Sequence, residues 1–334
     1  MDKERKEEGQ IERELEGKQV PEQERIDWAC RVLQSIRDNL NKVVFGKEEQ
    51  IEAILNAFCA KGHILLEDHP GVGKTLLARA FGKAVGLDTS RIQFTPDVVP
   101  GGVTGTMVYS RREERFTFRA GPVFTNILLA DEINRGTPRT QSSLLQAMEE
   151  QAVTVEDAHY ELPYPFFVIA TQNPLEVHGT FPLPESQLDR FMMLLSLGYP
   201  DTRAEDEILR TYASPGDPLE EVEVVLSPEE VGQLAELSAG VYVGEKVRAY
   251  ILDLVNEIRE DSRIKMGVSP RAALGLARAA QGRALMKGRD SVLPDDVKCL
   301  AVNVLAHRVV PVSYSDSSGE ILREHLDRVP VPEA

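Results

Sequence analysis

Leu65-Leu66-Glu67-Asp68-His69-Pro70-Gly71-Val72-Gly73-Lys74-Thr75 decides how the rest of the chain is read. The apolar run from His63 to Leu66 has strand character, and a Pro/Gly turn comes after it. Leu76, Leu77, Ala80, Phe81 and Ala84 then recur at helical spacing. A strand, a Gly-rich loop and a helix opening on Lys-Thr form the context in which such a motif binds phosphate. Gly71 and Gly73 let backbone N–H groups face an anion, and the helix N-terminus adds partial positive charge. Lys74 is placed to reach the outer phosphates of a nucleotide, and Thr75 to offer its hydroxyl to Mg²⁺. The expected cradle runs through Asp68, His69, Pro70, Gly71, Val72, Gly73, Lys74, Thr75 and Leu76. One position departs from the strict pattern, since Asp68 stands where the motif has glycine. The bland alternative is a tight strand-to-helix turn with a surface lysine.

Segments downstream of the loop favour the nucleotide. Asn126-Ile127-Leu128-Leu129-Ala130 is a continuous apolar run of the kind buried on both faces in a parallel sheet, and it ends in Asp131-Glu132. Asp131 can hold Mg²⁺ directly or through water, and Glu132 can orient and deprotonate the attacking water. Acidic pairs after strands also cap helices, but this pair comes after a buried strand downstream of a phosphate loop. Asn173 ends the next buried strand, Phe166 to Ala170 and Thr171-Gln172, so its amide reaches the same sheet edge; otherwise it satisfies the turn before Pro174. Arg190 stands just before a fifth strand, read as Phe191 to Leu197. Arg271 lies in the first turn of a helix opened by Ser269-Pro270, where the helix dipole disfavours a cation unless an anion is near. For both, the competing reading is a surface salt bridge.

Strands alternating with helices predict a doubly wound α/β domain with its ligand at the strand C-terminal ends. Residues 1–25 are dense in Glu, Lys, Arg and Gln and read as a disordered, charge-rich arm. The α/β domain is expected over 26–200, a small all-helical domain over 201–315 and a tail over 316–334. Pro100-Gly101-Gly102 reads as a break. Two hairpins are expected, one around the charged turn Arg111–Arg115 and one turning at Glu156-Asp157.

The 334 residues carry a net charge of −16, which opposes nucleic acid as the main partner. Three well-separated cysteines, Cys30, Cys59 and Cys299, read as buried thiols in a reducing compartment, and the histidines show no ligand spacing. Neither a signal peptide nor an apolar run of membrane-spanning length is evident, so the cytoplasm is expected.

Taken together, Leu-Glu-Asp-His-Pro-Gly-Val-Gly-Lys-Thr, Ile-Leu-Leu-Ala-Asp-Glu-Ile-Asn-Arg, Ala-Thr-Gln-Asn-Pro, Leu-Pro-Glu-Ser-Gln-Leu-Asp-Arg-Phe and Val-Ser-Pro-Arg-Ala resemble the MoxR family of AAA+ ATPases, over about residues 30–315. Asp68 in place of glycine falls within what that family's loops look like. The resemblance implies that Lys74 and Thr75 are the Walker A pair and Asp131 and Glu132 Walker B. It also implies that Asn173 is sensor 1, Arg190 an arginine finger reaching a neighbour's site, and Arg271 sensor 2, expected to act in cis as the helical domain closes. The hairpins near 104–120 and 151–163 correspond to the helix-2 insert and pre-sensor hairpin, which usually face a central pore. The implied protein is a Mg²⁺-dependent ATPase binding ATP and ADP. It would work as a homo-oligomeric ring, a hexamer, that remodels or matures client proteins, commonly with a partner carrying a von Willebrand factor A domain. Two other readings compete: a nucleotide-gated scaffold with little turnover, which Asp131-Glu132 opposes, and a nucleic-acid motor, which Arg111, Arg112 and Arg115 support and the overall acidity opposes. No Asn-Lys-x-Asp motif points to GTP.

Overall fold

The computed structural model describes residues 23–69, 71–112, 114–174, 179–213, 216–313 and 315–332. Pro70 of the phosphate loop and the charged arm before residue 23 lie outside these described residues.

Helices α1 (Gln23–Leu40) and α2 (Glu48–Cys59) precede β1 (His63–Glu67), and the Gly-rich loop leads from β1 into α3 (Lys74–Ala84). Next come β2 (Thr89–Gln93), the short α4 (Pro100–Thr104) and a hairpin of β3 (Gly105–Ser110) and β4 (Arg115–Ala120). β5 (Ile127–Asp131), α5 (Pro138–Glu150), a second hairpin of β6 (Ala152–Val155) and β7 (Ala158–Glu161), β8 (Phe167–Gln172), α6 (Glu185–Leu188) and β9 (Phe191–Leu195) complete the α/β part. The helical part holds α7 (Thr202–Tyr212), α8 (Pro228–Gly240), α9 (Glu245–Glu260), α10 (Pro270–Met286), α11 (Pro294–Leu305) and α12 (Ser318–Arg328). It also carries a small antiparallel pair, β10 (Ile264–Met266) with β11 (Val310–Pro311).

The main sheet has five parallel strands in the order β2-β5-β8-β1-β9, the doubly wound α/β architecture. Side chains alternate across it, because successive strand residues point to opposite faces. Ile64, Leu66, Ile127, Leu129, Phe167 and Ile169 enter one core with α1, α2, α3 and the helical part. Leu65, Leu128, Ala130, Val168 and Ala170 enter a second core with α5. Both faces are therefore covered, which is why these strands read as unbroken apolar runs.

The helical part starts its helices by side-chain caps. Ser227 and Glu230 form a reciprocal capping box on α8, and Ser269 accepts from Ala272 N (3.1 Å) at the start of α10, with Pro270 in the first turn. α10 packs on α2 so closely that a methyl group at Gly282 would stand 2.8 Å from Asn56 O. No helix among the described residues is long and apolar enough to cross a membrane.

Four expectations are corrected. The Pro100–Gly102 break is a five-residue helix, since proline at a helix N-terminus gives up no hydrogen bond. β9 stops at Leu195 instead of Leu197, because a side chain from the phosphate loop takes the backbone N–H groups beyond it. The region expected as a tail over 316–334, where the polar run Ser313–Gly319 suggested an end to the helical domain, carries α12, which buries Ile321, Leu322 and Leu326. Of the cysteines only Cys59 is buried, its thiol pushed up to about 12 by burial, while Cys30 is half-buried and Cys299 exposed.

Candidate active site

Strand order brings the loop and the acidic pair together. β8 lies between β1 and β5, with Leu66 paired to Thr171 and Ala130 to Ala170, so the C-terminal ends of all three strands share one edge. Gly71 (φ +86°) and Gly73 (φ +93°) take the left-handed conformation that disfavours side chains, and their Cα positions face open space. α3 starts at Lys74 without a capping side chain and without an acid in its first turn. Its first N–H groups and its positive end thus stay available to an anion. Lys74 Nζ donates to the Asp68 carbonyl at 3.0 Å, which holds the ammonium over the loop.

The Asp68 side chain turns away from the loop. Its buried carboxylate accepts from Ser196 Oγ (2.8 Å), Leu197 N (2.6 Å) and Gly198 N (3.0 Å). It pins the chain after β9 to the phosphate loop, while the Asp68 carbonyl meets Lys74. His69 stacks on Tyr199 with centroids 5.8 Å apart, and Lys47 Nζ donates to Tyr199 O at 3.1 Å.

Asp131, at the end of β5, is buried. Its Oδ2 lies 2.7 Å from Arg91 Nε and its Oδ1 accepts from Thr171 Oγ1 at 3.1 Å. The same Thr171 oxygen accepts from Glu132 N at 2.9 Å, which helps hold Glu132 in a left-handed backbone conformation (φ +54°) that few non-glycine residues adopt. The Glu132 carboxylate accepts from Gln93 Nε2 (2.7 Å) and Arg135 Nη1 (3.1 Å). Asn173, also buried, comes just after β8 at the same edge, and its carbonyl accepts from Asn134 Nδ2 at 3.3 Å.

The fit to MgATP can be tested on these residues. The loop offers N–H groups and an ammonium, and its one acid, Asp68, has its carboxylate committed to Ser196, Leu197 and Gly198. Asp131 Oδ2 already holds a cation, the Arg91 guanidinium, against its oxygen. Mg²⁺ takes one or two carboxylates and completes its shell with water and phosphate oxygens. That suits a site where no cluster of three or more His, Cys, Asp or Glu exists among the described residues. Thr75 and Asp131 would supply the hard oxygen donors. The residues fit.

Arg190 and Arg271 lie elsewhere. Arg190 precedes β9 at its N-terminal end, level with His63, where β1 begins. Five strand residues at about 3.3 Å each separate that edge from the phosphate loop, roughly 16 Å. Arg271 is at the same far edge: Arg190 Nη2 and Arg271 Nη1 pair with the two oxygens of Glu149 at 3.0 and 3.3 Å. In this arrangement Arg271 therefore stands away from the phosphate loop of its own subunit. Its position is set by a buried latch. Asp189 Oδ1 lies 2.8 Å from Arg308 Nε, and Ser269 Oγ, the cap of α10, also donates to Asp189 at 3.3 Å. Arg308 further donates to the carbonyls of Phe191 (2.7 Å) and Met192 (3.3 Å), and His307 Nε2 meets Phe191 O at 3.0 Å. Burial pulls the Arg308 guanidinium down to about 10 against the opposing pull of Asp189. Burial also lowers His307 to about 3, with Arg308 adding to it, and His63 to about 4, with a smaller push from Arg271.

Thr171, Gln93, Asp189 and Glu149 were not singled out from the sequence. The one signal was a hydroxyl at Thr171 ending an otherwise apolar strand.

Comparison with known proteins supports the fold and gives the family. Residues 63–193 match the model of the ATPase family associated with various cellular activities (AAA), and residues 256–325 match that of the AAA lid domain. The chain is 44% identical over 299 residues to the uncharacterized protein YeaC of Bacillus subtilis, covering 88% of this chain and 93% of that one. It is 39% identical over 295 residues to the chaperone MoxR1 of Mycobacterium tuberculosis, covering 85% and 77%. A crystal structure of a Cytophaga hutchinsonii protein assigned as an ATPase superposes with a TM-score of 0.86 at 38% identity, covering 93% of this chain and 98% of that one. With these relatives, the α/β domain carrying a phosphate loop and the helical lid domain after it, the chain belongs to the MoxR family of AAA+ ATPases.

Proposed function

We propose that this protein hydrolyses ATP with Mg²⁺ as a ring oligomer and uses the cycle to remodel client proteins. Thr75 and Asp131 would hold Mg²⁺, which when bound neutralises charge on the outer phosphates. Lys74 and the N–H groups of Gly71, Val72 and Gly73 bind the phosphates, and the exposed Tyr199 ring beside His69 offers a flat face to the base. Glu132 takes the proton of the attacking water once it leaves Gln93 and Arg135, and Asn173 orients that water. Thr171 keeps Asp131 and Glu132 in register.

The observation that carries the ring is the division of the site between opposite edges of one sheet. A phosphate bound at the loop is out of reach of the same subunit's Arg190 and Arg271. Both arginines would therefore complete the site of an adjacent subunit, so the expected in-cis action of Arg271 gives way to action in trans. A hexamer is the ring this family membership favours.

The chaperone MoxR1 supports protein clients, with a von Willebrand factor A domain protein as the partner class that the family resemblance favours. The two hairpins support a client surface: Phe118 stacks on Tyr160 with centroids 4.0 Å apart, and Tyr109 and Phe116 stand exposed beside Arg111 and Arg112. A cytoplasmic site of action is consistent with free thiols.

The deciding experiment mixes two variants. Arg190→Ala and Glu132→Gln should each bind ATP and hydrolyse it poorly, since an arginine finger is worth about 10³–10⁵ in rate. Together, under subunit exchange, they should recover activity by pairing an intact Glu132 with a neighbour's intact Arg190. A mixture as inactive as its components would refute action in trans.

A further inference from the structure

The far edge of the sheet holds an excess of positive charge around a cavity of about 250 Å³. Lys61, Arg190, Arg271, Arg278 and Arg308 line it. Two carboxylates face them, and Asp189 is already committed to Arg308 and Ser269. That leaves Glu149. Among the described residues, the ion pairs of both Arg190 and Arg271 are with this one side chain, each guanidinium on a different oxygen.

We propose that Glu149 is a positioning residue that stands in for a phosphate. It holds the Arg190–Arg271 fork in the free subunit and must be displaced before the fork can grip the neighbour's nucleotide. The inference rests on the proposed action of these arginines in trans.

Chemistry and geometry support a competitor over a simple brace. Carboxylate and phosphate each present more than one anionic oxygen, so either can accept from two guanidinium groups at once, as Glu149 does here. The two arginines come from separate elements, the turn before β9 and the first turn of α10, yet Glu149 converges them onto one group. A terminal phosphate arriving there brings further negative charge next to Glu149, and like charges cannot share the fork.

Glu149 is also held where it is. It sits in the last turn of α5 beside Met148, whose carbonyl is 3.3 Å from His63 Nε2. His63 Nδ1 in turn accepts from Val168 N at 3.1 Å, which leaves Nε2 as the protonated donor to Met148. The end of α5 is tied to the starts of β1 and β8, so the long arginine side chains are the parts free to move. Glu149 is 44% exposed and the arginines 28% and 49%, so the contact is a clasp of moderate strength, open to exchange.

The test uses the full chain and ATPγS-driven assembly, monitored by sedimentation velocity. Glu149→Gln keeps the shape and removes the charge. The ATPγS concentration at half-assembly should fall about three- to tenfold, as expected for two partly exposed ion pairs. Glu149→Asp, with a carboxylate one carbon shorter, should restore part of the threshold. In an Arg190→Ala/Arg271→Ala background, adding Glu149→Gln should leave the midpoint where it is, whereas a structural defect would move it in both backgrounds. An unchanged or raised midpoint in Glu149→Gln, or an equal shift in the two backgrounds, would overturn the proposal. If the Arg190→Ala/Glu132→Gln mixture regains activity while Glu149→Gln leaves assembly unaltered, the role of Glu149 alone falls. If that mixture is inactive, the trans reading falls and this inference with it.

Discussion

Replacing Asp68 by alanine separates a structural from a nucleotide-binding role at the position where the phosphate-loop motif has glycine. The wild-type carboxylate accepts three hydrogen bonds, from Ser196 Oγ, Leu197 N and Gly198 N, within a site that is 5% exposed. Hydrogen bonds to a charged group contribute about 1.5–3 kcal/mol each, and an orphaned buried donor costs about 1–3 kcal/mol. The Ser196 hydroxyl and the Gly198 N–H are only partly buried and can turn to water, whereas Leu197 N is buried and cannot. Asp68→Ala should therefore lose about 3–5 kcal/mol of unfolding free energy, one full charged bond, the orphan and part of the other two. Asp68→Asn keeps a single carbonyl acceptor and should lose about half as much. Urea unfolding monitored by circular dichroism reads the stability, and titration calorimetry with ATP reads the site. Affinity should fall by less than about tenfold, since the N–H cradle and Lys74 remain and only the loop's anchor to β9 is lost. A variant as stable as the parent but unable to bind ATP would refute this reasoning and return Asp68 to the nucleotide.

Three more outcomes are expected from the same geometry. Glu132→Gln should retain ATP in calorimetry and lose turnover by about two or more orders of magnitude in a phosphate-release assay, as when a general base is removed. Asp189→Ala should cost about 3–5 kcal/mol in chemical unfolding, because it strands the buried Arg308 guanidinium without its charge partner. Stability should also fall on mild acidification. His63 and His307 have folded-state values lowered to about 4 and about 3, below the ordinary 6.5, so the unfolded chain binds more protons. Their contribution is complete above about pH 6.5 and drains away as the pH drops toward 4 and then 3. Denaturation midpoints from pH 7.5 to 4.5 that stay flat in the parent, or that decline just as steeply in His63→Gln, would contradict this assignment.

The half of the site made of local sequence was legible, and the half made by long-range placement was not. The phosphate loop announces itself because glycine and proline punctuate a buried strand and a helix start. Asp131-Glu132 does so because four apolar residues lead straight into two acids. Periodicity tells which face of an element is buried but not which element covers it. Thr171 meets Asp131 only because β8 is the neighbour of β5, a fact carried by the strand order and invisible in a linear spacing of 40 residues. The surroundings of Arg271 were hidden for the same reason. Its helix start was clear from Ser269-Pro270, but the edge of the sheet it meets is chosen by Arg308 and His307, which bind the backbone at the start of β9. α12 was missed because the polar run before it resembled an end, while its apolar stripe of Ile321, Leu322 and Leu326 is short.

The buried latch bears on how the lid domain would work. In a lid free to swing, a cation on its first exposed helix could reach its own phosphate loop by closing over it. Here α10 is fastened at both ends of its contact: Ser269 and Arg308 meet on Asp189, and Gly282 lets the helix body settle on α2. Swinging Arg271 across roughly 16 Å of sheet would break a buried ion pair and strip Arg308 from two strand carbonyls. Losing one partner of such a pair alone costs about 3–5 kcal/mol. Rotating a whole subunit edge against its neighbour breaks none of these contacts. In the proposed ring the low-cost motion would therefore be between subunits, with the lid following the sheet edge that carries Arg190. There a nucleotide would be sensed first by the adjacent subunit, through the unit that joins both arginines, Glu149 and, after the single residue Gln151, the strand that begins the β6–β7 hairpin.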